Sequence, residues 1–589
     1  MRLADYVIEF LIKNGIDKTF LVTGRGILFL TDAVAKNNNI KSISLHHEQS
    51  CSFAAYSDAI INDRPSCCIV STGCGATNTI TGVLNAWQDK IPIIFISGNN
   101  PLNETTYYND IGIRTYGSQE ANIVSIVKSI TKYSTMITEA NDIAVELEKA
   151  VYYATEGDKG PVWIDIPIDI QNSQIDEISL NHFEIPKCER ILFDKQKADK
   201  VLNEISNSKR PIFIIGSGIK NSNSIDLFKE VTIKYNIPFV YTPSAVDCLD
   251  GDMTQNIGCV SSLGGSREGN FAVQNSDLII ILGSRMQSII TGGEYDKFAY
   301  YAKKIIVDYN ENEINKKNIK YDLFFKSDLK VFLEYLISNL SYSIDNSWTK
   351  KCIHWKKILP VNKNLNSKID LYNLSHILSN YVVGNTCIIT DAGFEDLILP
   401  SNLKVKNGAK IIHPVSQGSM GFALPASIGV ALNDKYNTIC IVGDGSIMMN
   451  LQELQSIKTL NLCIKIIVIN NGSYAVIRKR QKDIFRTRTI GTDNTNGVET
   501  PNWGKVAKAF GFKYITITDY SNLNEGINDV VNLNSACICE VICDDEQVYL
   551  HSSILKTASN KFVRRPMEDQ SPFLDRDFIK EELLIPYKE

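Results

Sequence analysis

The sequence predicts an α/β protein made of three doubly wound parallel-sheet domains, and three observations carry that prediction. Short Ile- and Val-rich runs recur along all 589 residues. Each ends in Gly, Asn or Asp and gives way to a helical pattern. At about 150 residues per domain, the length calls for three or four cores rather than one.

In chain order the runs are SCCIVSTG and IPIIFISGN, then RPIFIIGSG, DLIIILGSR and KIIVDYN, then TCIITDAG, NTICIVGDG and IKIIVINN. Continuous apolar runs mark strands buried on both faces, as βαβ units bury them. They fall into three blocks. The first spans 1–172 and closes with GPVWIDIPIDIQ. A polar linker, NSQIDEISLNHFEIPKCER, leads to a second block at 196–340. The connector LSYSIDNSWTKK precedes a third at 365–543. The tail, 544–589, contains KFVRRPMEDQSPFLDRDF and reads as an irregular segment wrapped over the body.

Composition excludes several classes. With 44% hydrophobic and 22% charged residues and a net charge of −5, the chain is soluble and globular, with no basic footprint for nucleic acid. The opening MRLADYVIEFLIKNG reads as an amphipathic helix and lacks a signal peptide's apolar core. No run reaches the roughly 18 apolar residues of a membrane span. The fourteen cysteines show no zinc-ligand spacing and read as reduced structural thiols of a cytoplasmic protein.

One local pattern carries chemistry. Gly443-Asp444-Gly445-Ser446 follows the strand NTICIV; a helical segment and the strand IKIIVI follow, ending at Asn470-Asn471. A single right-handed crossover would set the two strand ends side by side, although Asp444 and Asn471 are 27 positions apart. A carboxylate and an amide oxygen are hard ligands, suited to Mg²⁺ or Ca²⁺. Gly445 would permit close backbone approach, and Ser446 would open a helix whose free N–H groups hold a diphosphate. Ordinary capping by Asp and Asn explains each residue singly but not their paired spacing.

That paired motif is the one found in thiamine-diphosphate enzymes. The sequence resembles the acetolactate synthase group of these enzymes over nearly its whole length. The likeness rests on HHEQSCSFAAYSDA, STGCGATNTITGVLNAWQDKIPIIFISG, GSQEANIVSIVKSITKYS, SQGSMGFALPASIGVAL and GDGSIMMNLQELQSIKTLNL. It is weaker in the middle block, through NSDLIIILGSRM and AKKIIVDYNENEI. The resemblance implies a pyrimidine-binding, a central Rossmann-like and a diphosphate-binding domain.

It also implies roles. Glu48 would bond the cofactor's aminopyrimidine ring and favour the tautomer that deprotonates the thiazolium. Met420 would wedge the cofactor into its bent shape, beside Gln417. Asp444, Asn471 and the carbonyl of Ser473 would hold Mg²⁺, with Gly443, Gly445 and Ser446 under the diphosphate. Gln119 and Gly24 would lie near the reacting carbon. The active site would form between subunits, making a homodimer the minimum unit and a homotetramer an extension of it. A small-molecule 2-oxo acid, pyruvate first, would be the donor, and a carbonyl compound the acceptor.

The departures fall on residues that read the second substrate. The group's specificity arginine corresponds to Ile289 in Gly283-Ser284-Arg285-Met286-Gln287-Ser288-Ile289, and its tryptophan to Arg480. A lysine is replaced by Ile168, a phenylalanine by Ser118 and a second glycine by Arg25. Without the arginine, a small 2-oxo acid acceptor loses its bidentate partner. The runs SPFLDRDF and VIRKRQKDIF resemble a side branch associated with bacterial surface-sugar gene sets, where the acceptor would be a nucleotide-linked keto-sugar. Arg478, Lys479, Arg480 and Arg486 would then either meet a nucleotide diphosphate or form a solvated surface run. FAD, bound by some members, is possible but disfavoured here, because Gly216-Ser217-Gly218 is a dinucleotide fingerprint lacking its third glycine. A non-ligating 2-oxo acid decarboxylase is the alternative reading. A nucleotide-binding module without activity would explain the glycine turns but not the joint presence of Glu48, Met420, Asp444 and Asn471.

Overall fold

The computed structural model describes residues 1–186, 192–317, 319–342, 346–359, 368–406, 408–552, 554–556 and 562–587. The expected start of the third block near Leu365, and parts of both connectors, lie outside the described residues.

Three six-stranded sheets, parallel throughout, make up the body. The first contains β1 (Lys18–Leu21), β2 (Lys41–Ser44), β3 (Ser66–Val70), β4 (Ile93–Asn99), β5 (Tyr133–Met136) and β6 (Val162–Pro167), in the order β2-β1-β3-β4-β6-β5. The second contains β7 (Pro211–Ile215), β8 (Phe239–Tyr241), β9 (Asn256–Cys259), β10 (Leu278–Leu282), β11 (Lys303–Asp308) and β12 (Leu323–Lys326), in the order β12-β11-β10-β7-β8-β9. The third contains β13 (Thr386–Ile389), β14 (Lys410–Ile412), β15 (Asn437–Gly443), β16 (Ile464–Asn470), β17 (Lys513–Ile517) and β18 (Cys537–Ile542), in the order β14-β13-β15-β16-β18-β17.

The interior strands are the apolar runs read from the sequence. In β10 every residue of LIIIL is buried, because helices cover both faces of the sheet. Each sheet has a switch point in its strand order: between β1 and β3, between β7 and β10, and between β13 and β15. Loops leaving the C-terminal ends of strands on either side of such a point diverge and leave a crevice, where ligands of open α/β sheets bind.

Two helices lock the first and third domains together. Glu48–Asn62 lies along Ala423–Ala431. Ser57 Oγ donates to the carbonyl of Ala426 at 2.6 Å, and Phe422 sets its edge against Phe53 and Tyr56, with centroids 5.1 and 5.3 Å apart. A shared apolar core runs through this contact, from Phe20 and Phe95 to Ile466 and Trp503. The tail reaches back over the second domain. Asn270 Nδ2 donates to Gln570 Oε1 at 2.8 Å and Gln274 Nε2 to Glu568 Oε2 at 2.6 Å, all four side chains being buried.

Candidate functional site

At the end of β15, the backbone N–H of Asp444 donates to the carbonyl of Ile469 at the end of β16, 3.0 Å away. Asp444 and Asn471 are therefore neighbours, as one crossover requires. The Asp444 carboxylate accepts from Gly445 N at 3.0 Å and Gly472 N at 2.9 Å. Asn471 Oδ1 accepts from Ser473 N at 3.2 Å, so the amide oxygen turns toward the same loop that presents the Ser473 carbonyl. Burial pushes the Asp444 carboxyl up to about 6 against those backbone hydrogen bonds. Gly445 leaves room for the ring of Tyr474, which a Cβ there would overlap. A Cβ on Gly443 would lie 2.6 Å from Glu395 Oε1.

One expectation needs correction. Ser446 does not open a regular helix: Ile447–Met449 form a single 3₁₀ turn and the helix proper is Glu453–Thr459. Asn450 interrupts it. That side chain is fully buried and committed elsewhere, donating to Gly421 O at 2.8 Å and Gln49 Oε1 at 3.1 Å and accepting from Ser50 Oγ at 3.1 Å. The local helix is given up to tie the first domain to the third.

Asp391, absent from the sequence-based set, organises this corner from the end of β13. Its carboxylate accepts from Ser446 Oγ at 2.7 Å, Ala423 N at 3.1 Å and Ala392 N at 2.5 Å. Ser446 Oγ in turn accepts from Gly421 N at 2.9 Å, which holds Met420 beside the acidic turn. Burial raises the Asp391 carboxyl to about 7. Glu395, on the helix Phe394–Asn402, is also buried and its carboxyl is pushed well up, first by burial and then by Asp391 and Asp444. The sequence shows only an Asp at the end of the apolar run TCIITDAG; the strand order, not the sequence, brings it to Ser446.

In the first domain, Glu48 begins its helix, with His47 Nδ1 accepting from Gln49 N at 3.2 Å as the cap. Glu48 Oε2 accepts from Asn78 Nδ2 at 2.9 Å, and Oε1 would sit 3.3 Å from a Cβ on Gly75. Gly24 follows β1 in extended conformation, where any side chain would strike Ser71. Close packing across the β1–β3 switch point, rather than a turn, demands glycine there. Gln119 is held in the left-handed region at φ 62°. It lines a small recess with Arg25, Thr72, Asn99, Ser118 and Ile168. Three positions at which the chain departs from the resemblance thus share one hollow with Gln119.

The central domain's switch point opens on a cavity of about 400 Å³, bordered by Ser217, Gly218, Ser284, Arg285, Asp308 and Asp328. Gly216 and Gly218 are packed against Gly283, which accounts for their spacing without a dinucleotide. Asp89, Glu156, Asp158, Asp308, Asp328 and Asp396 line this cleft beside Lys90, Arg285 and His413, so acidic side chains outnumber basic ones where a diphosphate such as that of FAD would need cations. Ile289 borders both this cleft and a second cavity of about 460 Å³, together with Val415 and Ser416, immediately before Gln417. Most of the basic run is neutralised. Arg478 faces Asp493, Asp545 and Glu546; Lys479 faces Asp483, and Lys482 faces Glu546.

The third-domain corner fits a divalent cation bearing a diphosphate. Its donors are a carboxylate, an amide oxygen and a main-chain carbonyl, all hard oxygens. Gly472 and Gly418 have open space where side chains would stand.

Comparison with known proteins agrees with this geometry. Residues 1–126 match the N-terminal TPP binding domain of thiamine pyrophosphate enzymes, 198–336 their central domain and 391–541 their C-terminal TPP binding domain. These define the class as a thiamine-diphosphate-dependent enzyme. The acetolactate synthase large subunit of Lactococcus lactis subsp. lactis (strain IL1403) is 30% identical over 547 residues, 92% of each chain. Acetolactate synthase isozyme 1 large subunit of Escherichia coli (strain K12) is 26% identical over 93% of this chain and 95% of its own. Acetolactate synthase 3, chloroplastic, of Brassica napus is 27% identical over 92% and 84%. The chain belongs to the acetolactate synthase-like family of thiamine-diphosphate-dependent enzymes and is a carboligase of that kind. Among the described residues no helix is long and apolar enough to cross a membrane.

Proposed function

We propose that the enzyme decarboxylates a 2-oxo acid, with pyruvate as the simplest donor, and transfers the two-carbon acyl unit to an acceptor carbonyl. The observation that carries this reading is the meeting of Asp444 and Asn471 beside Met420, fastened through Ser446 to Asp391. Asp444, Asn471 and the Ser473 carbonyl would hold Mg²⁺. Gly443, Gly445 and Ser446 would underlie the diphosphate, with Gln417 and Met420 against the bent cofactor. Bound there, thiamine diphosphate supplies the electron sink for loss of CO₂. Glu48 would stabilise a proton on the pyrimidine ring, and Gln119 and Gly24 would border the reacting carbon.

The active site is proposed to lie between two copies of the chain. Exposed apolar side chains flank both halves: Met448, Met449, Ile484 and Phe485 near the metal corner, and Tyr108, Ile113 and Tyr116 near Gln119. Exposed apolar side chains clustered along short stretches in this way suit an interface. A homodimer, or a tetramer of two such dimers, would cover it. A cytoplasmic setting suits the thirteen described cysteines, all free and eleven of them buried.

For the acceptor, a nucleotide-linked keto-sugar is the proposed class. Its support is the uncharged Ile289 wall beside a roomy cavity, and the two cations of the basic run, Arg480 and Arg486, that lack a carboxylate partner among the described residues. Labelled pyruvate incubated with 2-oxo acids, aldehydes and nucleotide-linked keto-sugars tests the assignment. Labelled ligation product is expected; free acetaldehyde as the sole product with every acceptor would leave only the decarboxylase.

A further inference from the structure

The recess at Gln119 holds one charge that has no protein partner among the described residues. Arg25 opens the 3₁₀ turn Arg25–Ile27, directly after β1. Its neighbours are pinned: Gly24 packs on Ser71, and Gly26 packs on Thr72 while donating its N–H to Ser71 Oγ at 3.1 Å. The Arg25 backbone is therefore fixed, and its exposed side chain borders the recess. Most other polar groups there have structural duties. Asn99 Nδ2 donates to Asp165 Oδ2 at 2.7 Å, Asn100 Nδ2 to Ser118 O at 2.9 Å, and Thr72 Oγ1 to Gly98 O at 3.1 Å. Among the described residues, the Arg25 guanidinium and the Gln119 amide have no protein partner in this recess, and the only other side chain there without one is the exposed Ser118 hydroxyl. Several other arginines are answered by carboxylates, as Arg2 is by Asp5 and Asp32 and Arg576 by Asp569.

A free guanidinium presents paired donors that match a carboxylate or a phosphate. We infer that Arg25 is a specificity residue that reads an anionic group on the acceptor substrate. The inference rests on the carboligase reading above. The donor's own carboxylate is excluded as its partner, because that group leaves as neutral CO₂. A cation gripping it would hold the ground state more tightly than the transition state and slow the reaction. An anion on the acceptor keeps its charge throughout, so Arg25 can orient the acceptor carbonyl without opposing the chemistry.

Matched acceptors separate the possibilities in the cofactor-loaded enzyme with pyruvate: glyceraldehyde against glyceraldehyde 3-phosphate, and butanal against succinic semialdehyde. The first pair reports phosphate recognition and the second carboxylate recognition. The wild type is expected to favour the anionic member of at least one pair by about tenfold or more in kcat/KM. Arg25→Gln should erase that preference, and Arg25→Lys should keep part of it. An equal response to both members in the wild type, or a preference surviving Arg25→Gln, overturns the inference. Release of CO₂ with no ligated product would instead defeat the carboligase reading. For that case, titration calorimetry with 3-phosphoglycerate and succinate, which lack the reacting carbonyl, decides separately. At least one should bind the wild type and bind Arg25→Gln about tenfold more weakly. Failure of both to bind, or equal binding to both proteins, removes the anion site whatever the product.

Discussion

Ser446 donates its hydroxyl to the buried carboxylate of Asp391 across 2.7 Å, joining the ends of β15 and β13 on the two sides of a switch point. The same Ser446 oxygen accepts the N–H of Gly421, so Met420 and the Gly443–Ser446 turn cannot move independently. Replacing Asp391 with alanine leaves the Ser446 hydroxyl and the Ala423 N–H without their acceptor in a dry corner, at about 1–3 kcal/mol for each group. Asp391→Asn keeps one oxygen but turns an amide N–H₂ toward another donor. Titration with thiamine diphosphate and Mg²⁺ should show weaker binding of about tenfold for Asp391→Asn and more for Asp391→Ala. Affinities equal to wild type would show that the network does not shape the cofactor pocket.

Glu48→Gln tests a charge without disturbing the fold. The Glu48 carboxylate accepts from Asn78 Nδ2 at 2.9 Å, a bond that the glutamine carbonyl can accept equally well. What glutamine cannot do is stabilise a proton on the cofactor ring. CO₂ release from pyruvate should fall by about 10²–10⁴-fold with the cofactor still bound. Undiminished turnover would remove Glu48 from the catalytic assignment.

The sequence exposed what is buried on both faces and hid what is not. Strands such as Leu278–Leu282 and Asn437–Gly443 announce themselves because helices on either side select an unbroken apolar run. Lys41–Ser44 and Lys513–Ile517 lie at sheet edges with a single buried residue each, so their polar sequences carry no such pattern. Asp444 and Asn471 were legible because one crossover fixes their proximity. Asp391 was not, since its partner Ser446 lies 55 residues on and only the strand order brings them together. The 3₁₀ turn at Ile447–Met449 was hidden for a related reason: Asn450 answers to Gln49 and Ser50, far away in the chain.

Gly73→Ala should disable the loop that presents Gln119. Gly73 has φ 59°, a conformation costly for alanine, and its missing Cβ would overlap the carbonyl oxygen of Gln119. Since that neighbour is backbone, the Gln119 segment itself must shift. Turnover should drop about tenfold or more, as misplacement near a reacting centre does. Gly112→Ala is the control, with nothing within 4 Å of the added methyl, and should behave as wild type in both turnover and thermal midpoint. Full activity in Gly73→Ala would mean that the position of Gln119 is immaterial.

Tail docking should depend on pH through Glu568. Burial against the second domain raises its carboxyl to about 7, with Asp569 adding to the effect, while hydrogen bonds from Gln274 and Tyr300 oppose it. In the unfolded chain the group titrates near 4.5. Between those values the folded protein binds more protons than the unfolded one, so stability declines as pH rises through this window. The penalty is absent below about pH 4.5 and complete above about pH 7. Glu568→Gln is neutral at every pH and can still accept from Gln274 through its carbonyl oxygen. It should therefore raise the thermal midpoint and slow proteolysis of the tail at pH 8, through about 1–3 kcal/mol, and give no advantage at pH 4.5. An advantage of the same size at both pH values would show that the gain has nothing to do with a buried charge.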